Sequence, residues 1–591
     1  MCGIHLIWGK GAKEESIQGL LNESRHRGPD QEASFSPWPG LWLGVNRLKI
    51  LHPGPDADQP FWAPDGRSML IWNGEIYNYQ DLRNLLQKMG VEFVTHSDTE
   101  VLTHWLRIFG AKGLEKLQGM FALIYVDLSN QTVLVARDKN GEKPLYYHQN
   151  QDRLIISSES RGIGKLAKSK LDKSQLEYYY YMRTPLQGKT FFKGVKEWKP
   201  SRFSLIRQHS AFRWDNIPSL PSAQQEVSKN RLQELLLDAV LKQFHADVPV
   251  GMLLSGGIDS TLLYSLWYQE TGVPLHTFTI AHEAAYSNKY GDAEAVKKLG
   301  KVLPSENHLI QVDQTIFWEN WEEYLRTLDL PIGDSASFLT WLIGKEAKKH
   351  VKVLASGAGA DELWGGYQRH QAFDFYWRRK DWLLRLKPLL LKLPLNRNWQ
   401  KFLTGIEENP KRAFMNFSAL ESLQEDLFPD HERIFDERLS SYKQMLDFDR
   451  RLYLVQDVLK IQDNALMAHG IEGRSPYLDE GVIQFWKEIK SDELLLGKKW
   501  LRQILKDQGL SWVGNRKKTG FGLPLLEWFS ENGEFRERVF QELATFKKDY
   551  QDILPKVTNE LLEKPENHVK SHFLTLYNLF LLAEWLKIQK L

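Results

Sequence analysis

Over the first two hundred positions, short runs of apolar residues alternate with polar ones, and a few stretches shift to helical spacing. Strands are predicted at 3–8, 42–48, 68–72, 121–127, 133–136 and 154–157, and helices at 13–24, 79–88 and 100–109. A last pair of strand signals spans 191–205, with Gly194 and Pro200 at turn positions. The stretch 206–226 is polar, carries Pro218 and Pro221, and reads as a linker. Beyond it the rhythm changes. Leu232, Leu235, Leu236, Val240 and Leu241 share one face of a helix predicted over 227–244. Apolar runs then predict strands at 252–254, 276–280, 308–312 and 351–354, with helices at 292–302 and 335–348 among them. Strands alternating with helices predict a doubly wound parallel sheet, whose ligand site lies at the C-terminal edge of its strands.

Composition narrows this picture. The chain of 591 residues is 42% hydrophobic and 12% aromatic, enough for two large units with sizeable cores. Its 77 basic and 75 acidic residues leave a net charge of +2, which argues for neither a nucleic-acid partner nor a membrane surface. No secretory leader pattern opens the chain and no apolar run reaches spanning length. The nearest run, 382–395, is broken by charges and prolines and reads as an amphipathic surface segment. A single cysteine excludes an intramolecular disulfide and suits a reducing cytoplasm.

The predicted strand ending at Leu254 runs directly into Ser255, Gly256 and Gly257, and Asp259, Ser260 and Thr261 open the next helix. A strand, a Gly-rich turn and a helix N-terminus make an anion site. Asp259 would repel bare phosphate, but suits a site where a divalent cation lies between it and phosphates. No Gly-Lys-Ser/Thr follows, so the pattern is not the Walker type. It resembles the pyrophosphate loop of ATP pyrophosphatases; the bland alternative is an ordinary strand–helix turn.

The lone cysteine is Cys2. If Met1 is removed, the chain starts with a thiol beside its own α-amino group, whose pKa of about 8 suits it as general base. Asn73-Gly74 can be a tight turn, or can supply a side-chain amide and a backbone N–H to a tetrahedral oxyanion. Arg47 suits a carboxylate and Asp98 an ammonium group, or the two form a structural ion pair.

The ordered blocks decide among these. Met1-Cys2-Gly3-Ile4, Arg25-His26-Arg27-Gly28-Pro29-Asp30, Asn46-Arg47-Leu48, Gln59-Pro60, Asn73-Gly74-Glu75-Ile76-Tyr77-Asn78 and Ser97-Asp98-Thr99-Glu100 resemble the class II glutamine amidotransferases. The resemblance implies an αββα sandwich of the N-terminal-nucleophile (Ntn) type over 1–212. Cys2, Asn73 and Gly74 would be its catalytic residues, and Arg47, Asn73, Glu75 and Asp98 would bind glutamine.

Residues 213–591 resemble the synthetase half of glutamine-hydrolysing asparagine synthetases. Ser356-Gly357-Ala358-Gly359-Ala360-Asp361-Glu362 matches their second signature, and Glu472-Gly473-Arg474-Ser475-Pro476 and Lys518-Thr519-Gly520-Phe521 match later blocks. The resemblance implies a doubly wound sheet of the pyrophosphate-loop type with added helices. ATP would be held by Leu254, Ser255, Gly256, Gly257, Asp259, Ser260, Ile280, Ser356 and Gly357. Mg²⁺ would be held by Asp259 and Asp361. Lys518 would contact phosphates, against the alternative of one exposed charge in a basic run. Ammonia freed from glutamine would pass through an internal tunnel to an acyl adenylate of a carboxylate acceptor, aspartate first, and a homodimer is left open. One departure bears on the acceptor: at Ala358 the synthetases usually carry an acidic residue. Two other readings therefore stay open, amidation of a different carboxylate and a non-catalytic binder of glutamine or nucleotide.

Overall fold

The computed structural model describes all residues except Met1, 208–212, 219–225, 284–285, 287–290, 422, 424–426 and 517–519. Strands β1 (Cys2–Gly9), β2 (Gln31–Trp38), β3 (Leu41–Arg47), β4 (Phe61–Trp62), β5 (Ser68–Ile76), β6 (Gly119–Asp127), β7 (Thr132–Arg137), β8 (Tyr146–Gln149), β9 (Arg153–Ser157), β10 (Val195–Glu197), β11 (Arg202–Arg207) and β12 (Asp215–Asn216) build two sheets. Their orders are β10-β8-β9-β1-β3-β2 and β12-β11-β7-β6-β5-β4, and every neighbouring pair is antiparallel.

Alternation decides what each face buries. Ile4, Leu6 and Trp8 of β1, Leu43 and Val45 of β3, and Met69 and Ile71 of β5 meet between the sheets. Leu70 and Trp72 point the other way, onto Leu82 and Leu86 of the helix Tyr79–Lys88 and Val101 and Leu102 of the helix Asp98–Phe109. On the first sheet's outer face, Ile7 and Ile155 pack with Ile17 and Leu20 of the helix Glu14–Glu23. The four layers are those the resemblance implies.

The linker expected over 206–226 needs correction. Ile206 and Arg207 continue β11, and Asp215–Asn216 form β12 against Arg202 and Phe203. Polar composition hid β12 because it is a two-residue, exposed strand at the edge of its sheet, and β11 runs two residues past the strand signal that ends at 205. The division expected after residue 212 falls among residues outside the description.

The second half is built on β13 (Val250–Leu253), β14 (His276–His282), β15 (Glu306–Val312), β16 (Val353–Ala355) and β17 (Glu472–Arg474), all parallel, in the order β15-β14-β13-β16-β17. The strand order reverses between β13 and β16. In such a sheet the crevice outside the carboxyl ends at that point is the ligand site. The turns Ser255–Gly257 and Ser356–Gly359 lie there. Of the long helices, Ile258–Thr271 packs on β13 and Ala336–Ala347 on β14 and β15, while Lys229–Gln243 lies against Ile258–Thr271 and the C-terminal Val569–Gln589 against the helix Gln314–Thr327. The segment expected to be amphipathic overlaps the helix Lys380–Leu390, which buries Leu383 and leaves Trp382 and Leu389 exposed. Among the described residues, no helix is long and apolar enough to cross a membrane.

The halves share one apolar core. Phe191 packs its ring 5.6 Å from that of Trp585, and the Tyr179 hydroxyl donates to the Asn578 carbonyl at 3.1 Å. Buried charge also crosses the boundary: Arg27 reaches Asp463 at 2.8 Å, and Lys460 reaches Glu197 at 3.1 Å.

Candidate active sites

Cys2 opens β1, in register with Arg47 on β3, and its side chain is buried between the sheets. Its backbone nitrogen donates to Asn73 Oδ1 at 2.8 Å, so the two sheets are tied together at that point. Burial pushes the Cys2 thiol up, while a Leu48 N–H bond and the Arg47 charge pull it back. Gln59 directs its side-chain amide at Cys2 Sγ from 3.9 Å, and its Oε1 accepts from the Trp72 N–H at 2.7 Å. The sequence marks Gln59-Pro60 as a block but assigns Gln59 no place at the thiol.

Asn73 is fully buried, and among the described residues its Nδ2 has no hydrogen-bond partner. An unpaired buried amide N–H costs about 1–3 kcal/mol, so its persistence beside a thiol points to a ligand that accepts from it. Gly74 is required sterically: a Cβ there would lie 2.0 Å from the Met120 carbonyl oxygen. β5 and β6 therefore approach only with glycine at this position.

Arg47 is buried. Asp58 takes its Nη1 at 2.5 Å, and the carbonyls of Leu51 and His52 take Nη2 at 3.4 and 3.0 Å. Its carboxylate partner is Asp58, not Asp98. Asp98, at the first turn of the helix Asp98–Phe109, accepts from the Ile76 N–H at 3.2 Å. Burial lifts its carboxyl to about 7, opposed by that hydrogen bond and by Arg474, and reinforced by Glu472. Glu75 is raised by burial as well, and Arg474 counters this with Nη2 at 3.1 Å from Glu75 Oε1. Arg474 belongs to β17, in the other half of the molecule.

At the carboxyl edge of the parallel sheet, Ser260 Oγ accepts from the Ser255 N–H at 3.2 Å, and Ser255 Oγ accepts from the Gly257 N–H at 3.3 Å. These bonds curl the turn so that Gly257 caps the helix Ile258–Thr271. Gly256 has φ +65°, and its α-carbon faces the backbone of Ala295 and Val296. Leu254, just after β13, and Ile280, inside β14, are buried, with the Leu254 N–H donating to the Phe278 carbonyl at 3.0 Å. Ser356 Oγ bonds Gln462 Oε1 at 2.5 Å and accepts from the Ala358 N–H at 3.2 Å. Gly357 brings the second turn against the first: a Cβ on it would lie 2.8 Å from Asp259 Cβ.

Asp259 and Asp361 converge as expected, and on a residue that sequence reading missed. Lys498 Nζ lies 2.6 Å from Asp259 Oδ2 and 2.5 Å from Asp361 Oδ1. Burial opposes its charge, but the two carboxylates more than offset this and hold the ammonium above its ordinary value. In sequence Lys498 is one of two adjacent lysines before a helix, with nothing to separate it from exposed Lys499. Lys518 lies outside the described residues.

With this geometry in place, comparison with known proteins is direct. The family model described as "Asparagine synthase" matches residues 231–587, and that described as "Glutamine amidotransferase domain" matches 1–213. The chain belongs to the asparagine synthase family. It is similar to asparagine synthetase [glutamine-hydrolyzing] 1 of Bacillus subtilis, 28% identical over 96% of this chain and 95% of that protein. It is also similar to asparagine synthetase [glutamine-hydrolyzing] 3 of the same organism, 28% identical over 82% and 79%. A third relative is a putative asparagine synthetase [glutamine-hydrolyzing] 2 of Methanocaldococcus jannaschii, 30% identical over 63% and 76%.

Proposed function

We propose that this chain is a glutamine-hydrolysing asparagine synthetase. It would split glutamine at Cys2 and use the ammonia to amidate an ATP-activated carboxylate, aspartate first, releasing AMP and pyrophosphate. The observation that carries a two-step reading is the join between the sites. Arg474 binds Glu75 through its side chain at 3.1 Å, and its carbonyl accepts from the Ser356 N–H at 2.9 Å.

In the first step Cys2 attacks the side-chain carbonyl of glutamine. The oxyanion is received by Asn73 Nδ2 and the Gly74 N–H, and ammonia leaves a thioester that water hydrolyses to glutamate. Arg47 binds the substrate carboxylate; Asp98 and Glu75 bind its ammonium. Release of Met1 turns the Cys2 nitrogen into the base for its own thiol.

In the second step the turns at Ser255–Gly257 and Ser356–Gly357 bind the phosphates of ATP, beside the buried Leu254 and Ile280. Asp259 and Asp361 suit Mg²⁺ by their chemistry, two carboxylates turned toward one cation; in this structure that cation is the Lys498 ammonium, at 2.6 and 2.5 Å, which would have to move aside for the ion. Mg²⁺ bound there would neutralise phosphate charge. Lys498 adds positive charge where pyrophosphate leaves, and the family resemblance gives Lys518 the same task. A reducing cytoplasm suits the free thiol, and the balanced net charge of +2 calls for no nucleic acid.

Ala358 favours one alternative within this scheme, a carboxylate acceptor other than aspartate. Its methyl group can neither take a proton nor accept a hydrogen bond. The nearby Glu362 is buried and occupied by the Tyr367 hydroxyl at 2.7 Å. The deciding experiment is pyrophosphate release from ATP, Mg²⁺ and ammonium, with and without aspartate. Aspartate-dependent pyrophosphate together with asparagine supports the first reading. Silence with aspartate, beside intact glutaminase, moves the reading to another acceptor.

A further inference from the structure

Away from the ATP-site turns, three histidines from three separate segments meet at the amino edge of the parallel sheet. His276 is the first residue of β14, and His308 is the third of β15. His350 follows the helix Ala336–Ala347 in the turn that leads to β16, where its N–H donates to the Ala347 carbonyl at 2.9 Å. One ring nitrogen of each lies within 4.8 Å of the others, the only such group of three or more among the described residues.

The sheet explains the convergence. In the parallel register Phe278 stands opposite His308, and residues two apart on β14 share a face, so His276 and His308 stand on the same side. The neighbour of His276 on β13 is Gly251, which has no side chain to block that space. Phe278 forms an apolar floor, stacked on His308 at 4.9 Å with 16° between the rings.

Spacing and chemistry both suit a metal. His276 Nδ1 and His308 Nε2 are 3.1 Å apart. Two nitrogens each bound about 2.05 Å from a tetrahedral centre lie about 3.3 Å apart. A carboxylate stands ready as a fourth ligand: Glu306 Oε2 is 3.2 Å from His276 Nδ1. Glu346 lies 3.7 Å from His350 Nε2, but is engaged by Lys349 at 2.6 Å. Neutral imidazoles are the ligand form. The His276 and His350 side chains are each 29% exposed, so an ion can reach them.

We propose that His276, His308 and His350, with Glu306, form a structural site for a divalent metal of the zinc type. The seven residues of β14 separate it from the ATP edge by roughly 20 Å, too far to touch the reacting groups there. A metal here would fasten β14, β15 and the turn into β16, the strand that leads to Ser356.

The test uses the full, tag-free chain with Zn²⁺ alone, followed by calorimetry and thermal unfolding, and Co²⁺ as a probe of coordination. One equivalent should bind saturably and raise Tm, and Co²⁺ should give the intense visible bands of a four-coordinate site. His308→Ala and His350→Gln should each weaken Zn²⁺ binding at least about a hundredfold. His350 lies on a half-exposed turn, so H350Q should keep the metal-free Tm even if H308A does not. Cys2→Ser should bind Zn²⁺ as the parent does. Absence of saturable binding, undiminished binding in H350Q, or loss confined to Cys2→Ser would each overturn the proposal.

Discussion

Arg474 Nη2 and Glu75 Oε1 lie 3.1 Å apart, both buried, with Arg474 on the last strand of one half and Glu75 one residue beyond Gly74 in the other. The same guanidinium holds Glu472 at 2.6 Å and the carbonyls of Gln243 and His245 at 2.8 Å. Its backbone carbonyl meanwhile takes the Ser356 N–H. One residue thus contacts the glutamine-site strand and the second ATP-site turn. Arg474→Gln leaves two buried carboxylates without their cation, at a cost of about 3–5 kcal/mol. The urea midpoint should fall accordingly. Glutamine-dependent amidation should fall further than ammonium-dependent amidation; equal losses would remove the coupling role and leave only stability.

Asn73 provides the cleanest separation of the two activities. Its Oδ1 is used by the Cys2 nitrogen, while its Nδ2 has no partner among the described residues. Asn73→Ala should lower glutamine-dependent kcat by about 10²–10³ and leave ammonium-dependent turnover near that of the parent. A variant that loses both activities equally would place Asn73 in the scaffold rather than at the oxyanion.

The role proposed for Asp98 at the glutamine ammonium predicts that glutamine use depends on pH. Burial raises its carboxyl to about 7, with Glu472 adding to the rise and the Ile76 and Thr99 N–H groups and Arg474 opposing it. Binding an ammonium group requires the carboxylate. KM for glutamine should therefore climb by about tenfold per unit as pH drops below 7. Stability runs the other way. The folded chain binds more protons than the unfolded one between about pH 4 and 7, so stability is lost as pH rises through that window. Asp98→Asn should gain stability over the parent at pH 8, on the order of a few kcal/mol, and gain none at pH 4. It should also flatten the pH profile of KM. An unchanged profile would show that another group sets it.

Local pattern made most of the antiparallel strands legible, because their alternation is regular and both sheets bury one face against the other. β2 escaped because Gln31–Trp38 is polar at the start, carries Pro37 and forms a sheet edge, where a missing N–H is tolerated. β17 escaped for a different reason. Glu472-Gly473-Arg474 reads as a charged turn, yet it is wholly buried because Glu75 and Lys143 reach it from the other half. Such a strand is specified by partners hundreds of positions away, and no window of sequence contains them. Motif spacing singles out Cys2, Asn73, Asp259 and Asp361 as candidates, since each sits in a Gly-rich or strand-end context that local residues define. Lys498 was invisible because only the convergence of Asp259 and Asp361 separates it from its neighbour.

Lys498 also yields a test. Its ammonium is within 2.7 Å of both Asp259 oxygens and 2.5 Å from Asp361. Lys498→Met leaves two carboxylates facing the phosphate turn and removes a cation from the site where charge leaves. Ammonium-dependent pyrophosphate release should drop by about 10²–10³, while glutamate formation from glutamine should be retained. Loss of glutaminase to the same degree would instead signal a folding defect.

Gly357 carries the last prediction, because its demand is purely steric. β13 and β16 are adjacent, and the turns that follow them press together until the Gly357 α-carbon faces the side chain of Asp259. A methyl group there would sit 2.8 Å from Asp259 Cβ, an atom fixed to the helix backbone and unable to swing away. Gly357→Ala must therefore push the turns apart by a few tenths of an ångström, displacing Asp259 from Asp361 and Lys498. The fold should survive this, since overpacking of this size costs about 1–3 kcal/mol. The KM for ATP should rise and pyrophosphate release should fall by at least about tenfold, because geometry at a phosphate site tolerates little displacement. Glutamate formation at Cys2 should not change. Normal ATP kinetics in this variant would mean that the two turns are free to separate, and that Asp259 does not need its present place.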